Sequence, residues 1–94
     1  MPNFTVRFDL EDSTEKDYQS LEERLILFNF TEIVESPDGG TYILPRGEYR
    51  ISGDLTCKKV LDMATLAAAS YPGSCKILVT ESADLAWAGL KRAV

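Results

Sequence analysis

Two residue types decide at the outset what chemistry this chain can do. Its 94 residues include no histidine, which removes Ser–His–Asp and Cys–His catalysis, imidazole acid–base work and histidine metal sites. Its two cysteines, Cys57 and Cys75, are too few for a zinc site and suggest no disulfide framework. Cys57 falls in the first turn of an expected helix with no base to activate it, so it reads as dispensable. Cys75 falls on the apolar side of an expected strand and reads as core. What remains is charge. Arg7, Arg50 and Lys76 each fall on the polar side of an alternating segment. On three adjacent strands they form a candidate phosphate-binding stripe beside Asp9. The competing reading is a mixed-charge surface or dimer contact in which these bases pair with carboxylates.

Charge is spread unevenly along the chain. Residues 9 to 38 hold ten acids against two bases, Lys16 and Arg24, a local charge of −8. Residues 46 to 59 hold four bases (Arg46, Arg50, Lys58 and Lys59) against two acids. The net charge of −5 favours solubility and disfavours loose attraction to nucleic acid. The acidic run reads either as a solvated helix face or as a surface that docks a basic protein partner.

These residues are positioned by elements that the pattern announces. Phe4, Val6 and Phe8 alternate with Thr5, Arg7 and Asp9, the period of a strand with one buried face. Asp12-Ser13-Thr14-Glu15 offers a capping box, with Asp12 or Ser13 as N-cap. Tyr18, Leu21, Leu25 and Phe28 then mark one stripe of a helix that ends near Asn29. Phe30 to Glu35 reads as a second strand, broken by Pro37-Asp38-Gly39-Gly40. Thr41–Leu44 and Glu48–Ser52 are expected to pair as a hairpin across a type I turn at Pro45-Arg46-Gly47, the first arm continuing the second strand. The alternative is a hairpin turning at Asp38-Gly39, with Glu48–Ser52 separate. A second helix is capped by Asp54 or Thr56, carries Val60, Leu61, Ala64, Ala68 and Tyr71 inward, and stops at Pro72-Gly73. Cys75 to Thr80 alternates as the last strand. Ser82 to Arg92 is expected to form a short terminal helix, with Trp87 as its packing anchor.

The expected order is therefore β-α-β-β-α-β plus a terminal helix, in one α+β domain spanning residues 1–94. Right-handed crossovers put both main helices on one side of a four-stranded antiparallel sheet of order 4-1-3-2, the ferredoxin-like arrangement. The other sheet face has no helix to cover it. No apolar run approaches the ~18 residues of a membrane span, and the N-terminus lacks the pattern of a signal peptide. A cytoplasmic, membrane-free protein is expected.

Three segments carry a family resemblance: Val6-Arg7-Phe8-Asp9-Leu10, Asn29-Phe30-Thr31-Glu32-Ile33-Val34 and Glu48-Tyr49-Arg50-Ile51. Together they resemble the GhoS-type antitoxin endoribonucleases of type V toxin–antitoxin pairs. Those proteins are similar in turn to the small ferredoxin-fold nuclease of CRISPR adaptation. The resemblance runs from about Phe4 to Thr80. It implies a homodimeric endoribonuclease that cleaves a toxin transcript, with Asp9 as the catalytic acid and ligand of a magnesium ion, two copies meeting at a two-fold axis. Arg7, Arg50 and Lys76 would then bind the RNA. The alternative function is a non-catalytic acidic protein-binding module that uses the first helix or a strand edge, such as a phage- or plasmid-type regulatory protein.

Overall fold

The alternation at the N-terminus does form a strand. In a computed structural model, which describes residues 1–93, β1 (Asn3–Leu10) buries Phe4, Val6, Phe8 and Leu10 on one side and leaves Arg7 and Asp9 exposed. The helix that follows, α1 (Glu15–Leu27), is capped by Thr14, one residue beyond the expected Ser13. The Asp17 carboxylate accepts the Thr14 backbone N–H at 2.8 Å, so a donor at the helix start is satisfied by an acid in the first turn. Tyr18, Leu21 and Leu25 are buried as their spacing requires. Asn29 ends the helix in the left-handed region, φ +70°. There Phe30 N–H donates to the Leu25 carbonyl and Asn29 N–H to that of Ile26, both at 3.0 Å. That is a Schellman stop, and its two apolar partners, Leu25 and Phe30, are both buried.

The middle of the chain departs from the preferred reading. β2 (Ile33–Glu35) and β3 (Thr41–Ile43) pair with each other across Pro37-Asp38-Gly39-Gly40. Thr41–Ile43 therefore does not pair with β4 (Glu48–Ser52), which lies against β1 instead. Asp38 decides this locally. Its carboxylate accepts the Gly40 N–H at 3.0 Å and the Ser36 hydroxyl, closing the hairpin at that point. The turn before β4 is also shifted: Glu48 N–H donates to the Pro45 carbonyl at 3.0 Å, so Gly47 takes the third turn position, with φ +86°.

α2 (Cys57–Ala68) is capped by Thr56, whose hydroxyl accepts the Lys59 N–H at 3.2 Å. It presses Val60, Ala64, Ala67 and Ala68 into the core. β5 (Cys75–Glu81) completes a three-stranded antiparallel sheet of order β4-β1-β5. The β2–β3 pair is a separate two-stranded sheet rather than part of one four-stranded sheet. A single antiparallel bridge, Thr31 to Arg50, lies between them. Both helices pack on the same side of β1, in one cluster with Phe4, Val6, Phe8, Tyr49 and Ile51. Each fully buried aromatic or aliphatic side chain there contributes roughly 1.5–3 kcal/mol.

The expected terminal helix is absent. From Ser82 to Ala93 the chain forms no helix and only an isolated bridge at Arg92. Ser82 N–H donates to the Asn3 carbonyl at 2.7 Å, Ile43 N–H to that of Lys91 at 2.9 Å, and Ala93 N–H to that of Thr41 at 2.9 Å. The segment thus leaves the end of β5 and finishes along the outer edge of β3. Gly89, at φ +77°, interrupts the seven residues from Ser82 to Ala88, too few to hold a helix without packing.

Candidate functional site

The helix-free face of the three-stranded sheet is built by the residues that alternate with the core. The ladders give its rows directly. Thr5 of β1 lies between Arg50 of β4 and Thr80 of β5, and Arg7 lies between Glu48 and Leu78. Asp9 lies across from Lys76. The three predicted bases therefore share a face but not a row. They descend diagonally, Arg50 to Arg7 to Lys76, one strand over and two residues along at each step. Diagonal neighbours of this kind stand ~7–8 Å apart. Among the described residues the ion pairs are Arg46–Glu15, at 2.8 Å, and Lys58–Asp62, at 2.6 Å. None of the three diagonal bases is in an ion pair among the described residues. Glu48 and Asp9 flank the diagonal on either side.

The face is not wholly open. The segment after β5 passes over its upper end, where the hydroxyls of Thr5 and Ser82 meet at 2.8 Å. A groove of about 400 Å3 lies there, lined by Asn3, Glu35, Ser36, Arg50, Asp84 and Trp87 among others. Trp87 is half-buried and packs against Tyr42, ring centroids 5.7 Å apart, and the Arg92 guanidinium sits 5.5 Å from the other ring centre of that pair, Tyr42. Trp87 is thus a packing residue, but outside any helix. The signal that would have found this is the alternation of half-buried Leu85 and Trp87 with exposed Ala86 and Ala88, a period of two rather than 3.6.

Asp9 does not meet the requirement of a magnesium site within one chain. Among the described residues no three His, Cys, Asp or Glu side chains converge, and the residue across from Asp9 is Lys76. An ammonium group beside a lone carboxylate competes for the charge a hard cation would need. No chemical step is assigned to a metal here.

On the opposite side of the molecule the acids gather. A groove of about 360 Å3 between α1 and the segment around β3 is lined by Glu15, Glu22, Glu32, Tyr18, Tyr49 and Arg46, together with Lys91 and neighbours. Burial, and then the hydrogen-bonded Glu22 carboxyl beside it, pushes the Glu32 carboxyl above its ordinary range. Burial and the same two carboxylates raise the Tyr49 phenol. Arg46 is committed here, paired with Glu15 and stacked 4.7 Å over the Tyr18 ring, so it is not part of the basic diagonal. Both cysteines are free, Cys57 exposed and Cys75 half-buried. Burial, with Asp9 nearby, raises the Cys75 thiol.

Compared with known proteins, the chain matches no protein-family model and no curated protein sequence.

Proposed function

We propose that this protein binds single-stranded RNA on the helix-free face of its sheet, as a ferredoxin-like antitoxin of the GhoS type acting in the cytoplasm. The observation that carries the reading is the diagonal of Arg50, Arg7 and Lys76, three bases on rigid neighbouring strands with no carboxylate partner in an ion pair among the described residues. Such an array neutralises successive phosphates of an extended strand. The ferredoxin-like description is supported by the order β5-β1-β4, carried on toward β2 by the Thr31–Arg50 bridge, and by two helices on one face. β3 and the terminal segment are additions to that plan.

Within this reading Asp9 is the carboxylate nearest a bound strand. Cleavage through it would need further donors from a second copy of the chain. The outer edge of β5, with no strand paired to it among the described residues, supports a homodimer, since pairing two such edges satisfies their backbone groups. The test is fluorescence anisotropy with a single-stranded RNA dodecamer, with and without magnesium. Saturable binding that weakens with salt is expected, and Asp9→Asn should tighten it by removing a negative charge from the track. Affinity no better than about 10⁻⁴ M for the wild type at physiological salt would contradict the proposal, because non-specific contacts alone reach that range.

A second reading is favoured by the groove that holds Glu15, Glu22 and Glu32. In it the acidic first helix docks a basic protein segment, without catalysis. A cationic peptide that binds while RNA does not would support it.

A further inference from the structure

The basic diagonal does not end on bare surface. At its Arg50 end it runs into the groove beside Trp87, and we propose that this groove is a nucleobase subsite that selects guanine within a bound RNA strand. The inference rests on the RNA-binding reading and adds to it a position that reads sequence.

Three features of the groove converge. Arg50 is half-buried and lines it, its backbone held on both sides by strand pairing: opposite Thr5 in the ladder, and by reciprocal bonds of 2.7 and 2.8 Å with Thr31. It is positioned for the phosphate of the nucleotide that enters. Trp87 supplies an aromatic surface. It lines this groove and also a second one with Ser36, Pro37, Leu85 and Ala86. The segment that carries it is tied down at both ends, at Ser82 by Asn3 and Thr5 and at Lys91 and Ala93 by β3. Such a platform stacks a base without first having to be ordered. Glu35 and Asp84 supply the third feature, two acceptor-only side chains in a groove whose other lining is one cation, three neutral polar residues and four apolar ones. The backbone N–H of Leu85 takes one lone pair of Asp84 Oδ1, at 2.9 Å, which leaves Oδ2 and the second lone pair of Oδ1 for a ligand.

The choice of base follows from donors and acceptors. Guanine alone presents two adjacent donors, N1–H and the N2 amino group, on its Watson–Crick edge, and a carboxylate accepts both at once. Adenine and cytosine each present a ring-nitrogen acceptor beside their amino group, which a carboxylate repels. Uracil places its one N–H between two carbonyls. The volume of about 400 Å3 lies in the range of roughly 300–1,000 Å3 typical of small-ligand sites. An acidic groove would by itself repel RNA, so the Arg50 phosphate contact is what makes the carboxylates selective rather than merely repulsive.

Trp87 is the chain's one tryptophan, so its fluorescence reports on this groove and the one adjoining it. The pentamers UUGUU, UUAUU and UUUUU carry the same number of phosphates and differ only in the central base. UUGUU should bind about five- to tenfold tighter than UUUUU, the size of one stacked base or more, and should quench Trp87 more strongly than UUAUU does. Trp87→Leu should remove most of that advantage. Because this substitution also loosens the Tyr42 contact, the double variant Glu35→Gln/Asp84→Asn provides the second arm: it should bring the ratio of UUGUU to UUAUU affinity close to one while Trp87 quenching persists. Equal affinities for all three pentamers, with no Trp87 response, would overturn the subsite and leave the basic diagonal standing. No binding of any pentamer, nor of longer RNA, would overturn both.

Discussion

Glu32 carries a charge that the fold resists. Its carboxyl is pushed above its ordinary value of 4.5 by burial and by Glu22, so the folded protein holds the proton more tightly than the unfolded chain. The stabilisation that this gives is fully present below the unfolded pKa and is lost as pH rises through the folded one. Glu32→Gln, neutral throughout, should therefore melt above the wild type at pH 7 and near it at pH 4. Thermal melts at the two pH values check this, and a variant that melts below wild type at both would contradict it. Cys75 is perturbed as well: burial disfavours its thiolate, whereas Cys57 is exposed. Titration with a chromogenic disulfide at pH 8 should show Cys57 reacting first, and Cys57→Ser should abolish the fast phase without changing the melting temperature. A fast phase that survives in Cys57→Ser would reverse the assignment. At this scale the sequence was informative about sides and silent about neighbours. Alternation alone put Arg7, Arg50 and Lys76 on one face, because a strand's side chains must alternate. It could not say that Lys76 faces Asp9 or that Arg7 faces Glu48, since a slip of two residues preserves the face and changes every partner.

Gly47 shows how one backbone angle fixes an element. Its φ is +86°, and a Cβ added there would stand 2.6 Å from the Phe8 carbonyl oxygen, while Phe8 N–H donates to the Gly47 carbonyl at 2.7 Å. The turn is thus fastened directly to β1, which brings β4 into register. Gly47→Ala meets both a left-handed angle and a backbone clash, and should destabilise the fold by about 1–3 kcal/mol, measured by urea denaturation. A cost below a few tenths would mean the turn relaxes freely. The stripes of α1 and α2, Thr56 as a cap and the stop at Asn29 were legible because they depend on a few adjacent residues. Two boundaries fell elsewhere: α1 starts after Thr14 rather than Asp12 or Ser13, and α2 ends at Ala68, before Tyr71 and the expected stop at Pro72-Gly73. The strand pairing around residues 36–48 was not legible. Both hairpins were compatible with the glycines, and the Asp38 turn bonds together with the tie between Gly47 and Phe8 made the choice. The terminal segment misled in the opposite sense. Ser82, Asp84 and Lys91-Arg92 suit a helix dipole, yet Gly89 shortens the run, and the edge of β3 offers its backbone better partners.

For the molecule as a whole, the useful asymmetry is between its two sides. The acids of α1 and Glu32 lie on the helix side, away from the sheet face that carries Arg50, Arg7 and Lys76. A net charge of −5 therefore conceals a local basic track. Composition registered only the net value, because it averages over surfaces that the fold separates. The separation has a consequence for binding: RNA repelled by the helix side is oriented toward the sheet. If the β5 edge joins two copies, light scattering should give twice the 10.5 kDa chain mass. A wild-type mass of one chain at all concentrations would remove the dimer from the account.

The most direct test of the central claim is the salt dependence of RNA affinity in the wild type and in the triple variant Arg7→Ala/Arg50→Ala/Lys76→Ala. Each phosphate contact on a single strand contributes about 0.7 to the slope of log K against log salt. Removing the diagonal should therefore flatten the slope by about 2 and weaken binding at low salt, while the circular dichroism spectrum stays that of the wild type. A folded triple variant that binds RNA with the wild-type affinity and slope would contradict the account.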